Sequence, residues 1–496
     1  MRTILLIIGV HIGICIGFLF PLVQGIATHI PAGDGSHDGY QFLWNLWWVR
    51  TAMEGSDSLL YTHLLFAPHG TPLALHSLSA SNGFLSLPIQ YFVNDHHGLI
   101  AALNILTLGH FAFLSAMIHA LCRKLECSHV IGFTAGILIA YLPYRIHHLH
   151  HLNLLSTGWL VLALYSLIEL KERIKPMIPA ALLTLSTTSL IYADHEQSLC
   201  LGIIAIAFCV TYRAIIPQKS LLFSALATLG LTLPMWITLL SFPPGDFMAT
   251  SGKIFSTNIP SLLFPFSIEN MGIKHEDPYV ESQVGWVFWV FVFLGAQQFS
   301  NYGRLLLGLA VLFGLLSFGN TLQLGETTLD IPLPFDLMHN GWLSMARAPV
   351  RFLPISLLLV VLVCAQGWKN RTRWTQWFML LYVLTIRYPQ NIPMETVHVP
   401  PSVFTLSYDT RPYAIWNTKE SYTSIQKDMF FQTIHAHPIS GGYTARVWKP
   451  AYLWKQQQST KPIQEMGNNG FGLSVTSGTI QPQQWITTPF GQTPEE

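Results

Sequence analysis

MRTILLIIGVHIGICIGFLFPLVQGIA at residues 1–27, followed at 33–48 by GDGSHDGYQFLWNLWW, is the stretch on which the fold of this chain turns. The first segment is apolar over more than the roughly 7–15 residues of a signal-peptide core and reaches the about 20 needed to cross a bilayer. It reads as a retained first membrane helix with Arg2 on the cytoplasmic side. The second segment then opens an outer loop. Glycines at 33, 35 and 39 let the backbone bend around the carboxylates of Asp34 and Asp38. Trp44, Trp47 and Trp48 are expected to share a helical face at the membrane interface, which sets those carboxylates at headgroup depth.

The rest of the chain has the same character. Of 496 residues, 51% are hydrophobic and only 10% charged, against about 25% charged in soluble proteins. The mean hydropathy is +0.40. A soluble enzyme and a disordered chain are excluded. Lys plus Arg (26) nearly balances Asp plus Glu (25), so no basic surplus points to nucleic acid. The six cysteines lie in or beside apolar runs without a CxxC pair, which excludes a disulfide scaffold and a zinc knuckle.

Further spans are expected at about 98–121, 130–144, 154–170, 177–193, 198–212, 220–240, 284–299, 305–319, 352–368 and 374–388, eleven in all. Gly83–Val93 is apolar but carries Pro88, and reads as interfacial or re-entrant. With the N-terminus inside, the inner loops hold 12 cations against three acids, and the outer face 14 against 22. This is the positive-inside asymmetry, so the topology is N-in, C-out. The long polar segments 29–82, 241–283, 320–351 and 389–496 all fall outside, and no phosphate-binding GxxxxGK[ST] occurs. Residues 1–388 read as the membrane domain. Residues 389–496 read as a separate small α/β soluble domain, strand-like at His398–Tyr408, helical at Tyr422–His435 and loosely ordered from about 456.

Four outer-face clusters carry chemistry. The first is Asp34 and Asp38 in their glycine turn. The second is Tyr144-Arg145-Ile146-His147-His148-Leu149-His150-His151-Leu152-Asn153, which gathers donors for a phosphate or anchors at the interface. On a helix its His147 and His151 would stand one turn apart and share a metal. The third is Tyr192-Ala193-Asp194-His195-Glu196, which orients an acceptor, binds a divalent cation or forms a solvated turn. The fourth is Arg347-Ala348-Pro349-Val350-Arg351-Phe352, two arginines that meet a lipid phosphate or snorkel to headgroups.

Asp38-Gly39-Tyr40-Gln41-Phe42-Leu43-Trp44-Asn45-Leu46-Trp47-Trp48 resembles the first outer segment of prokaryotic polytopic proteins related to the GT-C glycosyltransferases. Leu64–Leu73 is similar to their LLFxPxGTxL stretch. Pro143-Tyr144-Arg145 with His151–Trp159 looks like PYR…HLNLLSxxW, Arg347–Phe352 like RxPxRF, and Pro438–Tyr443 like PxxGGY. The resemblance implies a GT-C-like membrane fold, a polyprenyl-phosphate sugar donor and an acidic base in the first outer loop. Asp38 matches that position and Asp34 is the second candidate. It also implies a multi-pass protein of the bacterial plasma (inner) membrane, working on its outer face in cell-envelope biogenesis.

The chemistry agrees with that class. Sugar arrives outside already activated on a lipid, and a phosphate leaving group needs cations. Arg145, His147, His148, Arg347 and Arg351 are candidates for that task, with His151, Asn153, Tyr192 and Glu196 as further substrate contacts. One carboxylate, Asp38, suffices as base for an inverting hexosyl- or pentosyltransferase. The acceptor is an envelope glycan, lipid or protein; no resident metal is assigned, and a divalent cation is the one cofactor the clusters admit. The rivals are a flippase of lipid-linked glycans and a non-catalytic assembly subunit.

Overall fold

The computed structural model describes residues 2–31, 38–55, 58–172, 176–248, 255–263, 284–296, 301–325, 327–338, 348–387, 392–410, 414–416, 422–459, 472–476 and 479–480. Asp34 and Arg347 lie outside the described residues, as does most of the tail beyond 459.

The helices follow the apolar segments. α1 (Arg2–Phe18) and α2 (Phe20–Gln24) carry the first, and α3 (Asp38–Glu54) and α4 (Ala80–Phe92) belong to the segment expected as the first outer loop. α5 (His96–Lys124), α6 (His129–Ala140), the short α7 (Pro143–His147) and α8 (Leu152–Leu155), α9 (Thr157–Glu172) and α10 (Met177–Ala193) come next. They are followed by α11 (His195–Tyr212), α12 (Gln218–Ser241), α13 (Ile259–Leu263), α14 (Trp286–Gly295), α15 (Asn301–Ser317), α16 (Leu353–Gly367) and α17 (Arg373–Arg387). The tail adds α18 (Pro401–Ser407), α19 (Tyr422–His435) and α20 (Lys449–Ser459).

A helix stands at each of the eleven segments expected to span. Among the described residues, five stretches are long and apolar enough to cross a membrane: α5, Leu152–Glu172, α11, α12 and Pro349–Asn370. Local chemistry sets where they begin. Asp95 caps α5 by accepting from the Gly98 N–H at 2.9 Å, Ser128 caps α6 through Ile131, and Asp194 caps α11 through Gln197. α5 ends on Arg123 and Lys124, the charges a helix C-terminus favours. It packs against α1, α4, α6 and α9 at the centre of the largest apolar core.

The bundle has two different ends. At one, Lys124 pairs with Glu169 and Glu172 at 2.8 Å each, Lys369 with Glu126 at 3.2 Å, and Lys171 donates to Tyr302 at 2.8 Å. These residues come from segments expected on the cytoplasmic side, and the fold gathers them together. The other end carries α3, α4 and the tail. There α4 lies so close on α3 that a Cβ at Gly83 would sit 2.3 Å from Val49 Cγ2.

Two expectations are corrected at this end. Trp44 and Trp48 are not a membrane-facing belt. Both are fully buried, stacked with centroids 5.6 Å apart, and their indole N–H groups donate to Gln432 and the Leu59 carbonyl. The reason is the tail: α19 packs along α3 and covers the face that would have met lipid. The tail also pairs with earlier parts of the chain. Its strand Met394–Thr396 pairs antiparallel with His29–Pro31, and Phe66, Ala67 and Leu64 exchange backbone hydrogen bonds with Ile439 and Gly441. His398–Tyr408 is helical over α18 rather than strand-like, because Pro401 at its first turn presets the helical φ. α19 covers the expected Tyr422–His435.

Candidate functional site

Asp38 is the first residue of α3, which fixes its carboxylate at the start of a rigid helix. Its Oδ2 lies 2.6 Å from His151 Nε2, and its Oδ1 accepts from the Gln426 amide of α19. His151 reaches it because α7 is only one turn long. Pro143 starts that turn, His148 folds its Nδ1 back onto the Tyr144 carbonyl at 2.8 Å, and residues 148–151 leave the helical path. His147 and His151 are therefore not one helical turn apart. The structure instead brings His150 and His151 to Asp38, with one ligand atom from each within 4.8 Å of the others. Burial holds the His150 imidazole well below its ordinary pKa, with the neighbouring His151 and His148 acting the same way.

The turn between α10 and α11 supplies the facing wall. Asp194 spends Oδ1 on capping α11 and accepts from Asn153 Nδ2 at Oδ2, 2.7 Å away. His195 Nε2 bonds the Ala74 carbonyl at 2.8 Å. Glu196 Oε2 receives Nη1 of Arg351 at 2.8 Å, an ion pair between α11 and the single turn Pro349–Phe352 that enters α16. Tyr192 lends its ring to the wall and its hydroxyl to the Leu231 carbonyl of α12.

Asp38, His151, Asn153, Tyr192, Asp194, His195, Glu196 and Arg351 share one cavity of about 240 Å³, which the loop Leu73–Ala80 and Tyr443 and Arg446 from the tail also line. His76 ties that loop to the tail and to α3. Its Nδ1 accepts from the Ala445 N–H at 3.2 Å, so Nε2 carries the proton and donates to Asn45 Oδ1 at 2.9 Å. Complete burial lowers the His76 pKa to about 3.

Of the residues expected from sequence, Asp38, His151, Asn153, Tyr192, Glu196 and Arg351 line this cavity. Arg145 does not. It is 2% exposed, stacked over Phe111, and its guanidinium donates to the carbonyls of Ala140, Leu154 and Leu155 and to the Thr157 hydroxyl. It knits the turn after α7 together. His147 and His148 stand behind His151, outside the lining. Sequence reasoning did not assign His76, Gln426 and Arg446. Arg446, three residues after the Gly441-Gly442-Tyr443 element, had a nearby signal; Gln426 and His76 had none.

No family model matches the sequence, and no curated protein does. Among solved structures, the oligosaccharyltransferase of Archaeoglobus fulgidus in its apo form superimposes with a TM-score of 0.50 at 10% identity, over 88% of this chain and 64% of the other. Its fold is the GT-C fold. The same archaeal enzyme in complex with zinc and sulfate gives 0.48 at 9% identity, over 88% and 62%. In complex with an inhibitory peptide and a dolichol-phosphate it gives 0.45 at 9%, over 88% and 64%. This chain thus spans less than two thirds of the length of the structures it resembles. At such identities what is shared is architecture, and this chain's own residues must carry its chemistry.

Proposed function

We propose that this chain is an integral membrane glycosyltransferase. It moves a sugar from a polyprenyl-phosphate donor to an envelope glycan, lipid or protein on the extracytoplasmic face, with inversion. The observation that supports this reading is the meeting of two pairs in one cavity: Asp38 with His151, and Glu196 with Arg351.

Each pair has a task. Asp38 takes the proton of the acceptor hydroxyl as that oxygen bonds the anomeric carbon, while the bond from that carbon to the donor phosphate breaks. His151 and Gln426 hold the carboxylate in place during approach. Asp194 is tied into the cap of α11 and to Asn153, and Glu196 is ion-paired with Arg351, so we assign the base to Asp38, which stands at the start of α3 beside His151, and a single base means inversion. Arg351, positioned by Glu196, takes up charge on the departing phosphate, and Arg446 brings a second cation to the same cavity.

The donor set of Asp38, His150 and His151 suits a divalent cation: one carboxylate and two imidazoles, with His150 kept in the neutral form that ligates. Bound there, the ion would neutralise developing charge on the phosphate. Each Asp38 oxygen has two lone pairs, so beyond the bonds with His151 and Gln426 one is left to hold a cation and one to accept the proton. Asp34 and Arg347 remain candidates for a second acid and a third phosphate contact.

The test is sugar transfer from a polyprenyl-phosphate donor by the protein in lipid nanodiscs. Asp38→Asn should lose about 10²–10⁴-fold in rate and keep donor binding. A parent protein that neither binds nor consumes the donor overturns the proposal.

A further inference from the structure

A second cavity, of about 400 Å³, lies at the far end of α3 from Asp38. Arg50 forms its floor. The Nε of Arg50 donates to Glu54 at 2.8 Å, and Nη1 donates to the Gln90 carbonyl at 3.0 Å and to Asn94 Oδ1 at 2.6 Å. The guanidinium also stacks over the Tyr91 ring, 4.7 Å from its centroid. Arg50 is thus fixed and planar, while its Nη2 has no partner among the described residues. Asp95 caps α5 with Oδ1. Two aromatic rings face this polar floor from different parts of the chain, Trp47 of α3 and Phe404 of α18.

The charges decide what class of ligand fits. Arg50 is matched by Glu54 and Asp95 in the same lining, so an anion gains no net attraction. An apolar chain would strand the guanidinium and carboxylates without water or partners. A sugar ring satisfies both walls. Its C–H faces pack on aromatic rings, and its neighbouring hydroxyls, each donor and acceptor, meet planar guanidinium, carboxylate and amide groups.

We propose that this cavity is a carbohydrate-binding subsite that takes an uncharged hexose unit of a glycan. Asp38 and Arg50 are carried by one helix, separated by roughly 18 Å at 1.5 Å per residue. A glycan with its reacting end at Asp38 would lie along α3 with a distal unit at Arg50. That extension rests on the glycosyltransferase reading; the subsite itself does not.

The experiment titrates the nanodisc-held protein with cellotetraose, mannotetraose and chitotetraose and follows saturation transfer by NMR. At least one should bind at millimolar concentration or below, and about tenfold or more weakly in Arg50→Met and in Phe404→Ala. Phe404→Ala touches none of the ties of Arg50, so it decides the matter if Arg50→Met fails to fold. Absence of binding by all three, or binding that survives both substitutions, overturns the proposal. So does a response at Arg50 to phosphatidylethanolamine nanodiscs without any sugar binding, which makes the cavity a headgroup site. Sugar binding together with full transfer by Asp38→Asn removes the catalytic reading and leaves the subsite. Transfer without sugar binding does the reverse.

Discussion

Two histidine groups sit in different regions of the molecule and spend their nitrogens in opposite ways. Near the end of the bundle where Lys124 pairs with Glu169, His11 Nε2 meets His119 Nδ1 at 3.1 Å and His119 Nε2 meets His129 Nδ1 at 3.1 Å. Ser115 bonds the remaining nitrogen of His11, and Phe133 packs on the rings of His11 and His119. That chain closes on itself and ties α1, α5 and α6 together. At the opposite end, His150 and His151 turn to a carboxylate beside a cavity. The difference teaches that an abundance of imidazole does not make a site. A carboxylate partner and open volume do, because they leave room for a substrate whose charge the pair can answer.

The largest expected effect breaks the comparison outright if it fails. Asp38→Asn should cut transfer about 10²–10⁴-fold without moving the unfolding midpoint. His119→Leu should do the opposite, lowering stability by roughly 1–3 kcal/mol through two orphaned neighbours while transfer per folded molecule stays at the parent level. Loss of transfer in His119→Leu with unchanged stability would make the inner histidines functional.

The two arginines sharpen the same contrast. Arg351→Met should weaken donor binding by roughly 10–100-fold, the value of a charge-assisted contact of about 1.5–3 kcal/mol. Arg145→Met should leave donor affinity per folded molecule alone and lower the unfolding midpoint, since several carbonyls lose their donor inside the protein. Donor titration and thermal unfolding of both variants would show whether their roles are exchanged.

A smaller effect is pH-dependent. His76 has a folded pKa of about 3, below the about 6.5 of an unfolded chain. Between these values the unfolded state binds a proton that the folded state refuses, so stability should fall as pH drops below about 6.5. His76→Gln should flatten that slope in unfolding midpoints measured from pH 7 to 4. The smallest effect belongs to Gln426→Leu. It should leave the fold intact and slow transfer by several-fold, in line with one hydrogen bond of about 0.5–1.5 kcal/mol. A change as large as that of Asp38→Asn would make the tail a catalytic element.

Helix positions were largely legible because they are local. Apolar period, caps such as Ser128 and Asp194, and Pro143 at a helix start all act within a few residues. The GT-C resemblance was legible from ordered motifs, and Asp38 from its glycine-flanked place in the first of them. The tryptophans misled because an aromatic helix face looks the same whether lipid or α19 covers it.

The sequence by itself therefore determined the membrane character of the chain, the segments that become helices, the grouping of cations in short loops and a carboxylate at the start of α3. Only the tertiary structure decided that Arg145 is spent on carbonyls while Arg351 faces the cavity. It alone brought His151 and Gln426 to Asp38 across 113 and 388 residues of chain. Helix formation is settled by neighbours within a turn or two, whereas the pairing of a carboxylate with its imidazole depends on how distant helices pack.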